Sequence, residues 1–570
     1  MKNSNNPNIN QEESRNNYSG NMYSLHDDNN NNNQNIQETG AIRRSIGQGN
    51  PNIINIPQNN FGSGYEQNYE NNKPEYQYSQ DNNYYSNHNS SYWFPYLILG
   101  CIEALIIIIL SVFFESKFKF DEFIDHNIAH NLKKYEITID EQEFKNIFED
   151  LYYNYGLLRD MNIMVFIGFG MLHSILKRSS WIIISINMLL IAISIQFALF
   201  FNFLWKNAFN EIWKDEYFNF DYLMKAIFVS SSAVISLGSV IGKLSMIQYI
   251  IMAIFETILC SLNYQLCEEK LQSIDHGGSL YIHTFGAIFS IAISVVLFCS
   301  TKVKTTLVNY NHLNKSNYFS NLTSYLGMII LFCYFPSFNS ALAKSRILRH
   351  RGRINTYFSL FGSVLTSFIT SGLYNGGRFV FEEILYGSIS GAIIISGCCT
   401  VCIYHWASLI IGSISAIITV SFLSKIKPFF VKYGLQDTCN VLIVHGISGI
   451  LGGFLTPIFI KGLDESIYKD IFLRERDGQA GIQIGAIFIT IGMAFIGGIA
   501  IGYLIKISQC GKIYQYFTDS EFFIEEENNI FEEFNESSTN ANIDINNPSL
   551  FPAYNNQGGK APMRISRPSY

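Results

Sequence analysis

Apolar and polar positions are unevenly distributed along this chain of 570 residues. Residues 1–91 are dominated by Asn, Gln, Ser, Tyr and Gly and contain almost no aliphatic runs. Residues 92–507 are one long apolar run after another, and residues 508–570 turn polar again around Glu521, Glu525, Glu526, Glu527, Glu532 and Glu533. Segments as polar as the two ends cannot bury enough apolar surface to offset their ordering entropy, so both tails are expected to be disordered, the second largely so.

A helix needs roughly 20 mostly apolar residues to cross about 30 Å of hydrocarbon. By that measure the middle region contains about twelve spans, near 93–115, 161–177, 180–205, 222–242, 246–266, 279–299, 320–342, 354–374, 379–403, 405–424, 438–460 and 480–506. The expected fold is an all-α membrane protein, with a transmembrane domain over 92–507 and the tails 1–91 and 508–570 on one side. The break between the ninth and tenth spans falls at His405 and Trp406, an interfacial aromatic-belt position.

Lys and Arg in short loops set the orientation. With the N-terminus cytoplasmic, Lys177, Arg178, Lys243, Lys302, Lys304, Lys315, Lys425, Lys427, Lys432, Lys506 and Lys512 all face inward. One loop opposes this assignment: Lys344, Arg346, Arg349, Arg351 and Arg353 would face out. The balance places both termini in the cytoplasm and makes the polar stretch 116–160 the main external loop.

The sixth span opens with Asp275-His-Gly-Gly-Ser-Leu-Tyr-Ile-His283, and the eleventh with Asp437-Thr-Cys-Asn-Val-Leu-Ile-Val-His445. Each sets an Asp at the start of an apolar helix and a His eight residues further in. Eight residues of helix rise about 12 Å, against about 15 Å to the bilayer centre. The five-span unit, second to sixth and seventh to eleventh, inverts on repetition, so the two histidines approach the midplane from opposite faces. An Asp ahead of a helix is first of all an N-cap, and that is the expected main task of Asp275 and Asp437. A lone His in a span is ordinarily a packed, hydrogen-bonded core residue. Two at matched depth point instead to a pathway in which they face each other, because ionisable groups are costly there.

Composition narrows the alternatives. The net charge of −7 and the absence of a basic stripe argue against nucleic acid. The ten cysteines are scattered through apolar runs without CxxC pairs and read as small core residues. A metal site would need three or four ligands, and Cys439 lies off the face of His445. An ion-coupled transporter would require mid-span carboxylates, and Glu103 in the first span stands as the only candidate. An enzyme would require clustered catalytic groups, which the pattern lacks. The expectation is a transporter of a small solute, not an enzyme, with no cofactor.

Three segments then resemble signatures of the Rh glycoproteins, the Rhesus branch of the ammonium transporter family. They are residues 275–287, Pro336-Ser-Phe-Asn-Ser-Ala (336–341), and Gln436-Asp-Thr-Cys (436–439) followed by His445-Gly-Ile-Ser-Gly-Ile-Leu-Gly-Gly (445–453). Val165-Phe-Ile-Gly-Phe-Gly and Gly238-Ser-Val-Ile-Gly-Lys agree, and the likeness covers roughly 92–507. The resemblance implies a homotrimer in the lipid bilayer with one narrow apolar pore per subunit, carrying ammonium or ammonia, with methylammonium and CO2 as further candidate solutes. It assigns His283 and His445 to a twin-histidine pair. It matches Phe228 and Phe338 to two stacked phenylalanines closing the outer vestibule, Asp275 to the outer mouth, and Asp437 to the inner. Leu342 stands where the Amt-type branch has a serine that helps hold ammonium outside, which implies low affinity. The plasma membrane is the default location, an osmoregulatory vacuole the alternative. A Rhesus-like scaffold or gas channel with little ammonium flux is the competing reading of the same resemblance.

Overall fold

In the computed structural model, which describes residues 94–113, 141–177, 180–210, 219–298, 315–433, 435–472 and 476–507 with Asp519 and Phe523, the apolar runs become helices. They are α1 (Phe94–Phe113), α2 (141–173), α3 (Ser180–Asn210), α4 (Phe220–Val240), α5 (Met246–Lys270) and α6 (Ser279–Phe298). They continue as α7 (Tyr318–Ser340), α8 (Arg346–Tyr374), α9 (Phe381–Ser396), α10 (His405–Lys432), α11 (Leu442–Lys461) and α12 (Arg476–Ile507). A short helix, Glu465–Ile471, precedes the last. Among the described residues 9 helices are long and apolar enough to cross a membrane. α1 has only the shorter apolar stretch Tyr96–Val112, α8 opens on four arginines, and α9 has 16 residues with Glu382 and Glu383 in its first turn. The chain is an all-α membrane protein. Residues 1–93, 114–140 and most of 508–570 lie outside the described residues, and with them the expectations placed on the tails and on the first half of the external loop.

Local sequence explains where the helices start. Asn219 accepts from Tyr222 N at 2.8 Å, and Ser345 from Leu348 N at 3.2 Å. Ser245 with Gln248, and Asn317 with Ser320, form reciprocal capping boxes. The Asp519 carboxylate caps α3 from far along the chain, accepting from Trp181 N at 3.3 Å and Ile182 N at 2.8 Å. Within the bundle, buried serines tie neighbouring helices through main-chain carbonyls: Ser359 to Gly391 O and Ser363 to Ser388 O, both 2.6 Å, and Ser415 to Ser390 O at 3.0 Å. Small hydroxyl residues allow close approach and add an interhelical bond.

Three sequence expectations need correction. α2 begins at Glu141, so the second half of the loop placed at 116–160 is helical. No proline stops it, and its last turns bury Leu157, Leu158 and Met161. α9 ends at Ser396 rather than near 403, because turns follow over 397–401 and the Ser396 carbonyl accepts from Gly277 N at 3.1 Å. Glu103 is not the only carboxylate in a span. Glu256, in α5, is fully buried and accepts from Ser232 Oγ at 2.6 Å and Ser236 Oγ at 2.7 Å. The arginines that opposed the orientation rule have local partners. Those of Arg346, Arg349 and Arg353 lie over the Tyr153 ring at 5.9, 5.7 and 5.1 Å, and Arg351 donates to Thr400 O at 3.1 Å.

The five-span repeat is visible in local detail. π-helical turns close α5 (Leu266–Lys270) and interrupt α10 six residues before its end (Phe422–Ile426), and they open α6 (Ser279–Thr284) and α11 (Leu442–Ile447). The start of α6 is clasped to the end of α9 by Gly277 N to Ser396 O. The start of α11 is clasped to the end of α4 by Cys439 N to Gly238 O at 3.0 Å. Each clasp donor lies two residues after its Asp. The residue after each donor has a left-handed backbone: Gly278 at φ 80° and Asn440 at φ 56°. Glycine adopts that conformation freely, and Asn is among the few side chains that tolerate it.

Candidate functional site

Asp275 and Asp437 start the two helices that meet in the core. Asp275 is buried and accepts from Ser279 N at 2.8 Å, Ser279 Oγ at 3.0 Å, Leu280 N at 2.7 Å and Tyr281 N at 2.8 Å. Burial pushes its carboxyl up to about 6, against the pull of those donors. Asp437 accepts from Val441 N and Leu442 N, both at 2.9 Å. Burial raises it too, opposed by the helix N–H groups and by Lys243 and Lys427. The N-cap role read from sequence describes both residues.

The π turns that follow hold the histidines. His283 and His445 are buried, with Nδ1 to Nδ1 at 3.1 Å and rings stacked at 5.2 Å between centroids. Two Nδ1 atoms share a hydrogen bond only if one carries the proton and the other does not, so at least one imidazole of the pair is neutral. The His283 Nε2 has no partner among the described residues. π turns recur at functional positions in helices because they reset side-chain direction within a turn.

Phe228 and Phe338 stack at 5.4 Å with 25° between planes, and Phe338 lies 6.5 Å from the His283 ring. Phe335 lies 6.0 Å from the same ring. Gly278 carries no side chain where Phe228 passes, since a Cβ there would lie 2.8 Å from Phe228 Cζ. A cavity of ≈ 230 Å³ is bordered by Tyr264, whose ring meets Phe228 edge-on at 6.0 Å, and by Glu268, Asp275, His276 and Leu342. His276 donates to or accepts from Thr400 Oγ1 at 2.9 Å, and burial pulls it down to about 4.

On the opposite side of the histidines the Phe169 ring lies 6.0 Å from His445. Lys243, buried at the end of α4, donates to Thr438 Oγ1 at 2.6 Å and Ser239 O at 3.1 Å. Burial pulls it down to about 8, with Asp437 pulling the other way. Asp275 caps the helix that carries His283, Asp437 caps the helix that carries His445, and Phe338 lies between the Phe228 ring and the His283 ring. His405 sits apart, exposed at the first residue of α10, with Nδ1 2.7 Å from Asn355 Oδ1.

Sequence reasoning passed over Glu256 and His173. A single Glu in an apolar window opposite Ser232 and Ser236, four residues apart on the neighbouring span, was the available signal for the first. His173 ends α2, three residues after the Val165–Gly170 motif, and no spacing in the sequence singles it out. Among the described residues no group of three or more His, Cys, Asp or Glu could hold a metal ion.

Residues 149–513 match the model of the Ammonium Transporter Family. The ammonium transporter Rh type C of Canis lupus familiaris is 31% identical over 398 residues, covering 66% of this chain and 84% of the relative. The ammonium transporter Rh type B of Oryzias latipes is 29% identical over 417 residues, covering 71% and 87%. Among solved structures, Nitrosomonas europaea Rh50, of the Rhesus protein family of channels, matches with a TM-score of 0.56 at 25% identity, over 68% of this chain and 97% of that one. Candida albicans Mep2 shares the fold, with a TM-score of 0.52 at 16% identity.

Proposed function

We propose that this chain, which belongs to the ammonium transporter family on its Rhesus branch, conducts ammonia derived from ammonium along the line from Phe228 and Phe338 past His283 and His445. The observation that carries the reading is the buried Nδ1-to-Nδ1 contact of 3.1 Å between the two histidines, directly behind the stacked phenylalanines.

An ammonium ion in a dry apolar passage loses its hydration at a cost of many kcal/mol and more cheaply gives up its proton. NH4+ enters the cavity beside Asp275, leaves its proton to water there, and continues as NH3 past the phenylalanine gate. The histidine pair then offers hydrogen bonds at the depth where no water does, with His283 Nε2 free to take one. NH3 takes up a proton again beyond Asp437. Leu342 at the cavity edge supplies no hydroxyl to a cation, which favours weaker binding there than a serine at that position would give.

The finer reading follows the same family. The subunit works as a homotrimer in a lipid bilayer, in the plasma membrane or an osmoregulatory vacuole, with tails 1–91 and 508–570 in the cytoplasm flanking the transmembrane domain 92–507. The protein is a conduit and not an enzyme. The test is stopped-flow alkalinisation of proteoliposomes after an ammonium jump. Wild type is expected to exceed empty vesicles, and His283→Ala or His445→Ala to lose about tenfold or more, a loss of at least one hydrogen bond in a site without water. Variants that insert correctly and conduct like wild type refute the pore assignment. CO2 flux without ammonia flux would favour the gas-channel or scaffold reading.

A further inference from the structure

We infer that His173 is a third conducting imidazole, the rung that passes ammonia from His445 to the inner mouth; the inference rests on the transport reading above. His173 is the last residue of α2 and is 1% exposed. Its ring packs on Phe169 at 5.8 Å, and Phe169 in turn lies 6.0 Å from His445. Its Nε2 points at Gly238, where a Cβ would lie only 2.8 Å from that nitrogen, 2.9 Å from Val441 Cγ2 and 3.3 Å from Cys439 Cβ. Val441 is one helical turn before His445, on the side toward Asp437. The three histidines therefore descend in order: His283, then His445, then His173 beside the inner clasp.

A histidine placed here only to hold the fold would be hydrogen-bonded, as buried polar groups almost always are. The Nδ1 of His173 has no partner among the described residues. An unsatisfied buried donor or acceptor costs about 1–3 kcal/mol, so its retention calls for a use outside the folded protein's own contacts. Asn339, beside the clasp at Gly277, also has an unpartnered Oδ1, but its amide donates to Ala392 O at 2.9 Å and Thr356 Oγ1 at 3.2 Å and so ties neighbouring helices together, which no side-chain hydrogen bond of His173 does among the described residues. His173 is a free ligand for a small solute that can both donate and accept, which is the chemistry of ammonia and of methylamine.

The experiment uses full-length protein in liposomes, with flux and thermal melting measured on wild type, His173→Leu, His173→Gln and His283→Ala. His173→Leu is expected to lower ammonia flux about tenfold, the equivalent of one lost hydrogen bond, while melting at or above the wild-type temperature. His173→Gln, which keeps a donor and an acceptor, is expected to recover most of the flux. If His173→Leu conducts like wild type, if it loses flux only together with a fall in melting temperature, or if His173→Gln is as impaired as His173→Leu, the third rung is refuted. In those cases, wild-type flux that still depends on His283 leaves the transport reading standing. A wild type without flux refutes both.

Discussion

The two halves of the bundle make the same clasp from different materials. At one end, Asp275 is buried with four donors, Gly278 supplies the left-handed turn, and Gly277 meets a main-chain oxygen of α9. At the other, Asp437 has two main-chain donors, Asn440 supplies the same turn, and the close neighbours of Gly238 are side chains. The first end carries the stacked phenylalanines and closes on main chain, and the second closes on side chains. On the proposed path the first is the constriction and the second the exit.

Matched substitutions test that asymmetry. The largest effect is expected from Gly278→Ala, which combines a strained φ of 80° with a Cβ 2.8 Å from Phe228 Cζ. Melting should report about 2–3 kcal/mol of destabilisation, and flux should fall more than about tenfold as the gate ring moves. Asn440→Ala, at the matching position with no gate ring above it, should cost about 1–2 kcal/mol and change flux little. Equal flux losses at the two positions would show that the ends are equivalent.

A smaller effect separates Gly277→Ala from Gly238→Ala. The first drives a methyl to 2.7 Å from the Ser396 carbonyl, which cannot move without breaking the clasp, and about 2 kcal/mol is expected. The second meets the side-chain ends of His173 and Val441 and no main chain, and a smaller loss of about 1 kcal/mol is expected. Thermal melting of both variants decides, and a Gly238→Ala loss as large as that of Gly277→Ala contradicts the difference between a main-chain and a side-chain closure.

The smallest is a pH effect. Folding raises the Asp275 carboxyl from 3.8 to about 6, so between those values the folded state binds the proton that the unfolded state releases. Stability contributed by this group therefore falls as pH rises from about 4 to 6 and is flat above. Asp275→Asn should remove that slope from a melting curve series, and an unchanged slope would assign it to another group.

Much of this arrangement was legible in the residues. Hydropathy placed the spans, since burial in lipid demands long apolar helices, and the spacing Asp275–His283 against Asp437–His445 placed two histidines at one depth. Phe228 and Phe338 are different: in spans full of aromatics nothing in the residues alone separates a gate ring from a packing ring, and only the family likeness picked them out. The clasps could not be read, because they join main-chain atoms more than a hundred residues apart. Nor could the π turns, which arise from tertiary pressure on otherwise ordinary helical sequence. Glu256 was missed because a window average dilutes one carboxylate among aliphatic neighbours, and its Ser232 and Ser236 partners sit on another helix.

The π turns have a consequence of their own. A turn of this kind holds one residue more than an α turn, so the facing of the residues inside it depends on a count, not on a side chain. Losing a single residue from Ser279–Thr284 would restore the ordinary ladder, leave the helix beyond it facing as before, and re-aim the residues within the turn, His283 among them. Every residue type would survive, and the meeting of imidazoles would not. On the proposed path, a one-codon deletion that spares both histidines is expected to disable conduction as replacing one of them would, and sequence changes near 279–284 and 442–447 are better judged by length than by similarity.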